Sequence, residues 1–132
     1  MSDFKLSKRS LERRDGVDKR LIAIDDLAIK LTRVDYGHPA DAGVRTAQRQ
    51  HELFVKGVSR ADGSFRVSRH QLGLALDVYA YVDGAASWDE AHLTSVAAAF
   101  LQAASQLGIA LEWGGLWLPR NRDMPHFQLT KK

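Results

Sequence analysis

The sequence predicts an α+β domain in which a small antiparallel sheet is backed by helices. Helix-spaced apolar residues in three segments, and short apolar or β-branched runs outside them, lead to this prediction. The chain has 132 residues, of which 45% are hydrophobic and 27% are charged. A chain of this length and composition can bury a core of its own, so we expect residues 1–132 to form a single domain.

The first two predicted helices lie in the N-terminal half of the chain. From Val17 to Leu31, apolar residues recur every three or four positions, and Asp15 is the expected N-cap. Residues 34–44 contain glycine and proline with little alternation, which indicates a loop or a short irregular strand. Thr46 can then cap a second helix that stops at Gly57, and a polar loop follows over residues 59–68.

The third predicted helix has the clearest pattern. Ser87 and Glu90 form a capping box at its start, and Gly108 closes it. Its buried face is expected to consist of Leu93, Val96, Ala97, Phe100, Ala104 and Leu107. Polar residues interrupt this stretch, which is shorter than the roughly 20 apolar residues that span a bilayer. We therefore expect a core helix and no membrane insertion.

Three segments are predicted to be strands. Leu74–Val82 is a mostly buried strand, because its apolar, β-branched and aromatic residues are broken only by Asp77. Ile109–Trp113 forms a short second strand. The last strand begins at His126, and its alternate residues, starting with Phe127, point into the core.

Composition limits the possible chemistry. The chain contains no cysteine, which excludes disulfides, thiolate metal sites and a cysteine nucleophile. Its net charge is +3, but the basic residues near the N-terminus alternate with acids and have only Phe4 as an aromatic neighbour. We therefore expect no nucleic-acid partner. The sequence starts without an apolar segment of secretory length, which predicts synthesis in the cytoplasm.

Asp77 is the residue that most needs an explanation. A carboxylate in such an apolar run costs several kcal/mol unless it is paired or binds a metal. His70 lies seven residues earlier, and a helix between them would separate the two side chains by roughly 10 Å, too far for one metal ion. A loop at Ser68–Leu72 and a bend at Gly73 instead allow His70 to fold back toward Asp77.

A third ligand is expected from a neighbouring strand, at His126. Pro125 extends the chain before it, and strand alternation places the His126 side chain opposite the core-facing residues. Two histidines and a carboxylate leave a fourth tetrahedral position for water, which is the pattern of catalytic zinc sites. We therefore predict one zinc ion per chain, held by His70, Asp77 and His126.

Two carboxylates are candidates for the general base. Asp123 lies three residues before His126, close enough to reach a water at the metal without being a ligand. Glu112, at the end of the preceding strand, is the alternative. The other histidines, His38, His51 and His92, are expected at the surface or on helices. Trp113 and Trp117 are expected in the core or in a cleft wall.

Residues 68–77, SRHQLGLALD, resemble the SxHxxGxAxD signature of the D-alanyl-D-alanine carboxypeptidase and VanY-like zinc peptidases, with every fixed position matched. Residues 123–127, DMPHF, look like the family's second histidine element, in which an acidic catalytic residue comes first. The short chain, residues 43–46 (GVRT), residues 113–115 (WGG) and the Pro-His-Phe ending most resemble phage endolysins that act as L-alanyl-D-glutamate endopeptidases. The resemblance extends over residues 17–130.

This resemblance implies a hedgehog and DD-peptidase-like fold, with zinc on the three predicted ligands and Asp123 as the catalytic residue. Arg45 would bind a substrate carboxylate, and Ser68 would hydrogen-bond within the site. The implied partner is bacterial peptidoglycan. A monomer would accumulate in the host bacterial cytoplasm and reach the wall through a separate membrane-permeabilising protein. Gln128 departs from the family pattern, which usually has Glu at this position.

Two other functions are compatible with these residues. A D,D-carboxypeptidase or dipeptidase acting on D-Ala-D-Ala ends shares the zinc motif and differs in the shape of its pocket. A zinc-stabilised binding module without turnover, as in the hedgehog signalling domains, is the second alternative. An intact Asp123 argues against it.

Overall fold

The computed structural model describes residues 2–130, which contain four α-helices and six short strands. The helices are α1 (Lys8–Arg13), α2 (Lys19–Leu31), α3 (Ala47–Val55) and α4 (Glu90–Leu107). The strands are β1 (Asp35–Gly37), β2 (Ala75–Asp77), β3 (Tyr79–Val82), β4 (Ala85–Ser87), β5 (Leu111–Trp113) and β6 (His126–Leu129). Single 3-10 helices, Arg69–Leu72 and Gly114–Leu116, precede β2 and follow β5.

The strands form two antiparallel sheets of three strands each, where one sheet was expected. The first has the order β1-β3-β4 and the second the order β2-β6-β5. In the second sheet, Asp77 of β2 lies directly opposite His126 of β6. Residues that are directly opposite in an antiparallel pair project to the same face. The register therefore brings two of the predicted metal ligands together.

The core lies between the helices and both sheets. Helices α2 and α4 pack against each other, and α4 also contacts β3 and β5. Phe100 of α4 stacks on Phe127 of β6 with 4.2 Å between ring centroids, and both side chains are fully buried. Because Phe127 follows His126, its burial turns His126 to the other face of the strand. Among residues 2–130, no helix is both long and apolar enough to cross a membrane.

The predicted strand Leu74–Val82 is divided between the two sheets at Val78. The Asp77 amide donates to the carbonyl of Ala42 (3.0 Å), and the Val78 amide donates to the carbonyl of Pro125 (2.9 Å). The prediction of one continuous strand was wrong, because a run of apolar residues does not reveal which sheet each residue joins.

Two of the predicted helix starts were also wrong. Helix α2 is capped by Asp18, not by Asp15. Helix α4 is capped by Asp89, whose carboxylate accepts from the Ala91 amide at 2.9 Å, while Ser87 belongs to β4. In both cases an aspartate nearer the first helical residue reaches the free amides more directly. The cap of α3 by Thr46 is confirmed, and β1 forms within the segment expected to be a loop or a short strand.

Candidate metal centre and cleft

The side chains of His70, Asp77 and His126 converge at the floor of a cleft. One donor atom from each lies within 4.8 Å of the others. Asp77 Oδ1 is 3.3 Å from His70 Nε2 and 3.0 Å from His126 Nδ1. The two rings are 5.1 Å apart between centroids and nearly perpendicular. Three donors from separate elements are therefore directed at one point.

A short 3-10 helix delivers His70 to this point. Ser68 caps the helix by accepting a hydrogen bond from the His70 amide (3.2 Å). Gly73 ends it in the left-handed conformation, with φ of 73°. Glycine adopts this conformation without the penalty that a Cβ imposes. A helix replaces the expected loop, but the bend toward Asp77 occurs at the predicted glycine.

The second ring nitrogen of each histidine has a hydrogen-bond acceptor. His70 Nδ1 donates to the carbonyl of Gly43 (2.9 Å), and His126 Nε2 donates to Gln128 Oε1 (2.9 Å). The other nitrogen of each ring, which faces Asp77, can therefore give up its proton and offer its lone pair to a metal ion, in the tautomer that a metal ligand requires. The donor set fits a divalent cation, and the side-chain carbonyl of Gln128 supplies the acceptor for His126.

The charges at this point also suit a cation. Burial opposes ionisation of Asp77, but His70 and His126 hold the pKa of its carboxyl well below the usual range. Burial likewise disfavours a charged His126, but the hydrogen bond to Asp77 raises the pKa of its ring. The Asp77 carboxylate thus remains ionised and attracts positive charge.

Arg45 lies beside Asp77, and its guanidinium group donates hydrogen bonds in three directions. Its Nη2 donates to Asp77 Oδ2 (3.2 Å), its Nη1 to Gln50 Oε1 (3.1 Å) and its Nε to the carbonyl of Asp41 (2.9 Å). These bonds use three of the five N–H donors of arginine. Arg45 therefore orients Asp77 so that Oδ1 faces the histidines, and two of its donors stay available to the cleft.

His38 is fully buried, which corrects the prediction that it lies at the surface or on a helix. Its Nδ1 donates to the backbone carbonyl of Asp77 (2.8 Å), and its Nε2 lies 2.8 Å from Asp25 Oδ2. Asp25 is buried as well and accepts hydrogen bonds from Arg14 and the Tyr36 hydroxyl. Burial opposes its ionisation, but His38 leads these partners in lowering the pKa of Asp25. This network holds the backbone of Asp77 from the core side.

Asp123 lines the cleft, whereas Glu112 is absent from the cleft lining within residues 2–130. The Asp123 amide donates to the carbonyl of Gly114 (3.0 Å), and its own carbonyl accepts from the His126 amide (3.1 Å). A Cβ on Gly114 would lie 2.3 Å from the Asp123 carbonyl oxygen, so glycine permits this approach. Burial, followed by the charge of Asp77, raises the pKa of the Asp123 carboxyl. A raised carboxyl pKa near the candidate metal ligands suits proton transfer.

Of the tryptophans Trp113 and Trp117, one lies in the core and the other lines the cleft. Trp113 is buried, and its Nε1 donates to the carbonyl of Met124 (2.7 Å). Trp117 forms a wall of the cleft, with its ring 5.4 Å from that of His126. Its Nε1 donates to Glu112 Oε2 (2.8 Å), so the Glu112 carboxylate supports this wall. His51 and His92 lie on α3 and α4, as expected.

The cleft above the three ligands has a volume of about 560 Å³. It leaves one side of the metal position open, which distinguishes catalytic centres from closed structural ones. Two histidines and a carboxylate at an open cleft, with a further carboxyl beside them, are an arrangement typical of metal-dependent hydrolases.

Comparison with known proteins identifies the family. The chain belongs to the family described as phage L-alanyl-D-glutamate peptidase, whose sequence model matches residues 1–128. The L-alanyl-D-glutamate peptidase of Escherichia phage T5 is 29% identical over 115 residues, which cover 86% of this chain and 82% of the relative. The crystal structure of the Serratia marcescens L-Ala D-Glu endopeptidase ChiX matches with a TM-score of 0.83 and 35% identity, over 97% of this chain and 92% of the other. The predicted resemblance and the α+β fold are confirmed.

Proposed function

We propose that this protein is a zinc-dependent peptidoglycan endopeptidase of the phage endolysin type, which hydrolyses the L-alanyl-D-glutamate bond of the murein stem peptide. The observation that supports this most is the convergence of His70, Asp77 and His126 below an open cleft, in a chain of the L-alanyl-D-glutamate peptidase family. Nitrogen and oxygen donors in this ratio, with no sulfur, suit catalytic zinc.

Zinc and the residues of the cleft have separate roles in the proposed reaction. Zinc supplies Lewis-acid polarisation of the scissile carbonyl and makes water a nucleophile at neutral pH. Asp123 accepts a proton from the attacking water and passes it to the leaving amine of D-glutamate as the carbon–nitrogen bond breaks. Arg45 binds a substrate carboxylate through its two remaining N–H donors, because a guanidinium group is always charged. Ser68, which also lines the cleft, contributes a hydrogen bond to the substrate.

The partner in this proposal is the bacterial cell wall. Residues 1–132 act as one catalytic domain, and the protein works as a monomer. It accumulates in the host bacterial cytoplasm and meets the wall after a separate protein has permeabilised the membrane. The phage origin of the T5 relative supports this course of events.

Digestion of purified peptidoglycan, followed by mass spectrometry of the products, tests the proposal. We expect a new C-terminal L-alanine and a new N-terminal D-glutamate, loss of both products with a chelator, and their return with zinc. Release of a terminal D-alanine would identify a D,D-carboxypeptidase instead. Binding to peptidoglycan without any cleavage would identify a binding module.

A further inference from the structure

The positive charge of this protein is concentrated in the cleft. Five arginines and two aspartates line it: Arg45, Arg60, Arg69, Arg120, Arg122, Asp77 and Asp123. Their excess of three positive charges equals the net charge of the whole chain, +3. The rest of the chain is therefore neutral overall, and the positive potential is focused where the substrate binds.

Two of these arginines make hydrogen bonds within the protein. Arg45 holds Asp77 and keeps only two N–H donors for the substrate, as described above. Arg60 donates to Asn121 Oδ1 (2.7 Å) and to the backbone carbonyl of Arg120 (2.9 Å), and so joins two loops at the rim of the cleft. This contact holds the loop before β6 against the loop after α3.

The other three guanidinium groups are free. Within residues 2–130, the side chains of Arg69, Arg120 and Arg122 make no hydrogen bond or ion pair. Arg69 directly precedes the ligand His70, and Arg122 directly precedes Asp123. Unpaired donors thus flank both the metal ligands and the acidic residue of the cleft. We call these three residues the arginine rim.

We propose that the arginine rim binds the free carboxylate of the substrate's D-glutamyl residue and selects stem peptides in which that carboxyl is not amidated. This inference rests on the proposed function. Glutamate has two carboxyl groups, and the bond to the next residue of a stem peptide uses only one of them. The other stays ionised unless it is amidated, and it belongs to the residue that provides the scissile nitrogen.

Arginine distinguishes these two forms for a chemical reason. A carboxylate offers two acceptor oxygens that match the paired N–H groups of a guanidinium, and the bonds are strengthened by charge. A carboxamide offers one acceptor oxygen and turns N–H donors toward the arginine donors. Amidation therefore removes the charge and leaves donors facing one another, which disfavours binding in the cleft.

Two synthetic peptides test this proposal on the zinc-loaded protein. Both have the sequence L-Ala-D-Glu-L-Lys joined through the glutamyl side chain, with the remaining glutamyl carboxyl either free or amidated. We expect kcat/KM to be roughly 10-fold to 100-fold higher for the free acid, as for a hydrogen bond to a charged group. The triple variant Arg69→Gln, Arg120→Gln, Arg122→Gln should lose this preference through a lower kcat/KM on the free acid alone, with zinc content unchanged.

A charge-matched control variant replaces three arginines that lie outside the cleft. Arg9, Arg33 and Arg66 are exposed and lie outside this cleft, so changing all three to Gln should preserve the preference. The single variants Arg69→Gln and Arg122→Gln provide the same comparison if the triple variant does not fold.

Three results would contradict the proposal that the arginine rim binds the free glutamyl carboxylate. The first is equal cleavage of the two peptides by the parent protein, and the second is an equal loss on both peptides in the rim variant. The third is a loss of kcat/KM that the rim variant and the charge-matched control share and that disappears at high salt. Such a loss would show that the rim arginines act on the substrate only by long-range electrostatic attraction. If the parent cleaves neither peptide and releases no L-alanine ends from peptidoglycan, the proposed function itself has failed.

Discussion

The His126 ring is oriented at the candidate metal site by hydrogen bonds with single side chains. One ring nitrogen faces Asp77, while the other donates to Gln128 Oε1 at 2.9 Å. Gln128 is a neutral acceptor. It fixes the tautomer of the ring without adding a negative charge beside the metal.

Replacing Gln128 with Leu should weaken zinc binding by roughly 10-fold to 100-fold, the usual effect of losing the partner of a metal-binding histidine. Competition with a chromophoric chelator measures the affinity. Gln128→Glu is the matched control: it keeps the acceptor, so affinity should be retained or increased. Equal affinity in Gln128→Leu and the parent would show that the ring needs no partner.

Asp123 and Glu112 can be separated by conservative substitutions. Asp123→Asn should keep zinc but lower turnover by roughly 100-fold or more, because the proton acceptor is lost. Glu112→Gln should leave turnover nearly unchanged, since a carboxamide oxygen can still accept from the Trp117 indole. Single-turnover cleavage of a muropeptide, with zinc content measured on the same samples, makes the comparison. The opposite pattern would assign the base to Glu112.

At the scale of elements, the same centre depends on where one turn bends. Gly73 separates His70 from Asp77 and adopts φ of 73°, and an added Cβ would meet the Gly16 carbonyl oxygen at 3.3 Å. Gly108, which closes α4, has a similar φ of 70° but open space around it. The two glycines therefore share a backbone conformation, but only Gly73 lies between two candidate metal ligands.

Gly73→Ala and Gly108→Ala should each lower the free energy of unfolding by about 1 to 2 kcal/mol, the cost of a left-handed residue with a Cβ. Only Gly73→Ala should also weaken zinc binding, because relief of strain at that turn displaces His70. Urea unfolding and chelator competition provide the two measurements. Unchanged zinc affinity in Gly73→Ala would mean that the bend does not position the ligand.

Elements set by local signals were predictable, and those set by distant contacts were not. Thr46, Gly73 and Gly108 act on amides or dihedrals within a few residues, and the structure has each where the sequence placed it. The change of sheet at Val78 depends on Pro125, which is 47 positions later in the chain, and no local pattern reveals it. The antiparallel arrangement of strands was predicted, but their division into two sheets was not.

In the candidate site, too, the features set by local sequence were predictable, and those set by distant contacts were not. The ligand motif is local, and the structure brings its residues together with the more distant His126. The partnership of His38 with Asp25 was missed, although one signal was available: Asp25 directly follows buried Ile24 on the apolar face of α2. The arginines of the rim come from the 3-10 helix Arg69–Leu72 and from the loop before β6, so their common cleft becomes visible only in three dimensions.

At the scale of the whole molecule, a buried polar network connects the core to the candidate metal centre. It extends from Arg14 through Asp25 and His38 to the backbone of Asp77. Asp25 and His38 have no exposed side-chain surface. Removing one partner from a buried ion pair leaves the other without compensation, which is more costly than losing a surface pair.

The last prediction concerns the pH dependence of stability that this network creates. The pKa of Asp25 is lower in the folded protein than the ordinary value near 4, so the folded state binds fewer protons than the unfolded state. Its contribution to stability is therefore complete above about pH 4 and is lost as the pH falls through the folded pKa. Asp25→Asn should lower the free energy of unfolding by about 3 to 5 kcal/mol at pH 7, and this difference should shrink below about pH 4.

Urea unfolding of both proteins across this pH range, with metal removed from each, measures the difference without the pH dependence of metal binding. Asp26→Asn is the matched control, because Asp26 also pairs with Arg14 but its side chain is 57% exposed. Its effect should stay below about 1 kcal/mol, as for surface ion pairs. Tyr36→Phe removes one donor to Asp25 and provides a milder variant if Asp25→Asn does not fold. A difference between parent and Asp25→Asn that stays constant as the pH falls would show that the buried carboxylate is not the source of acid sensitivity.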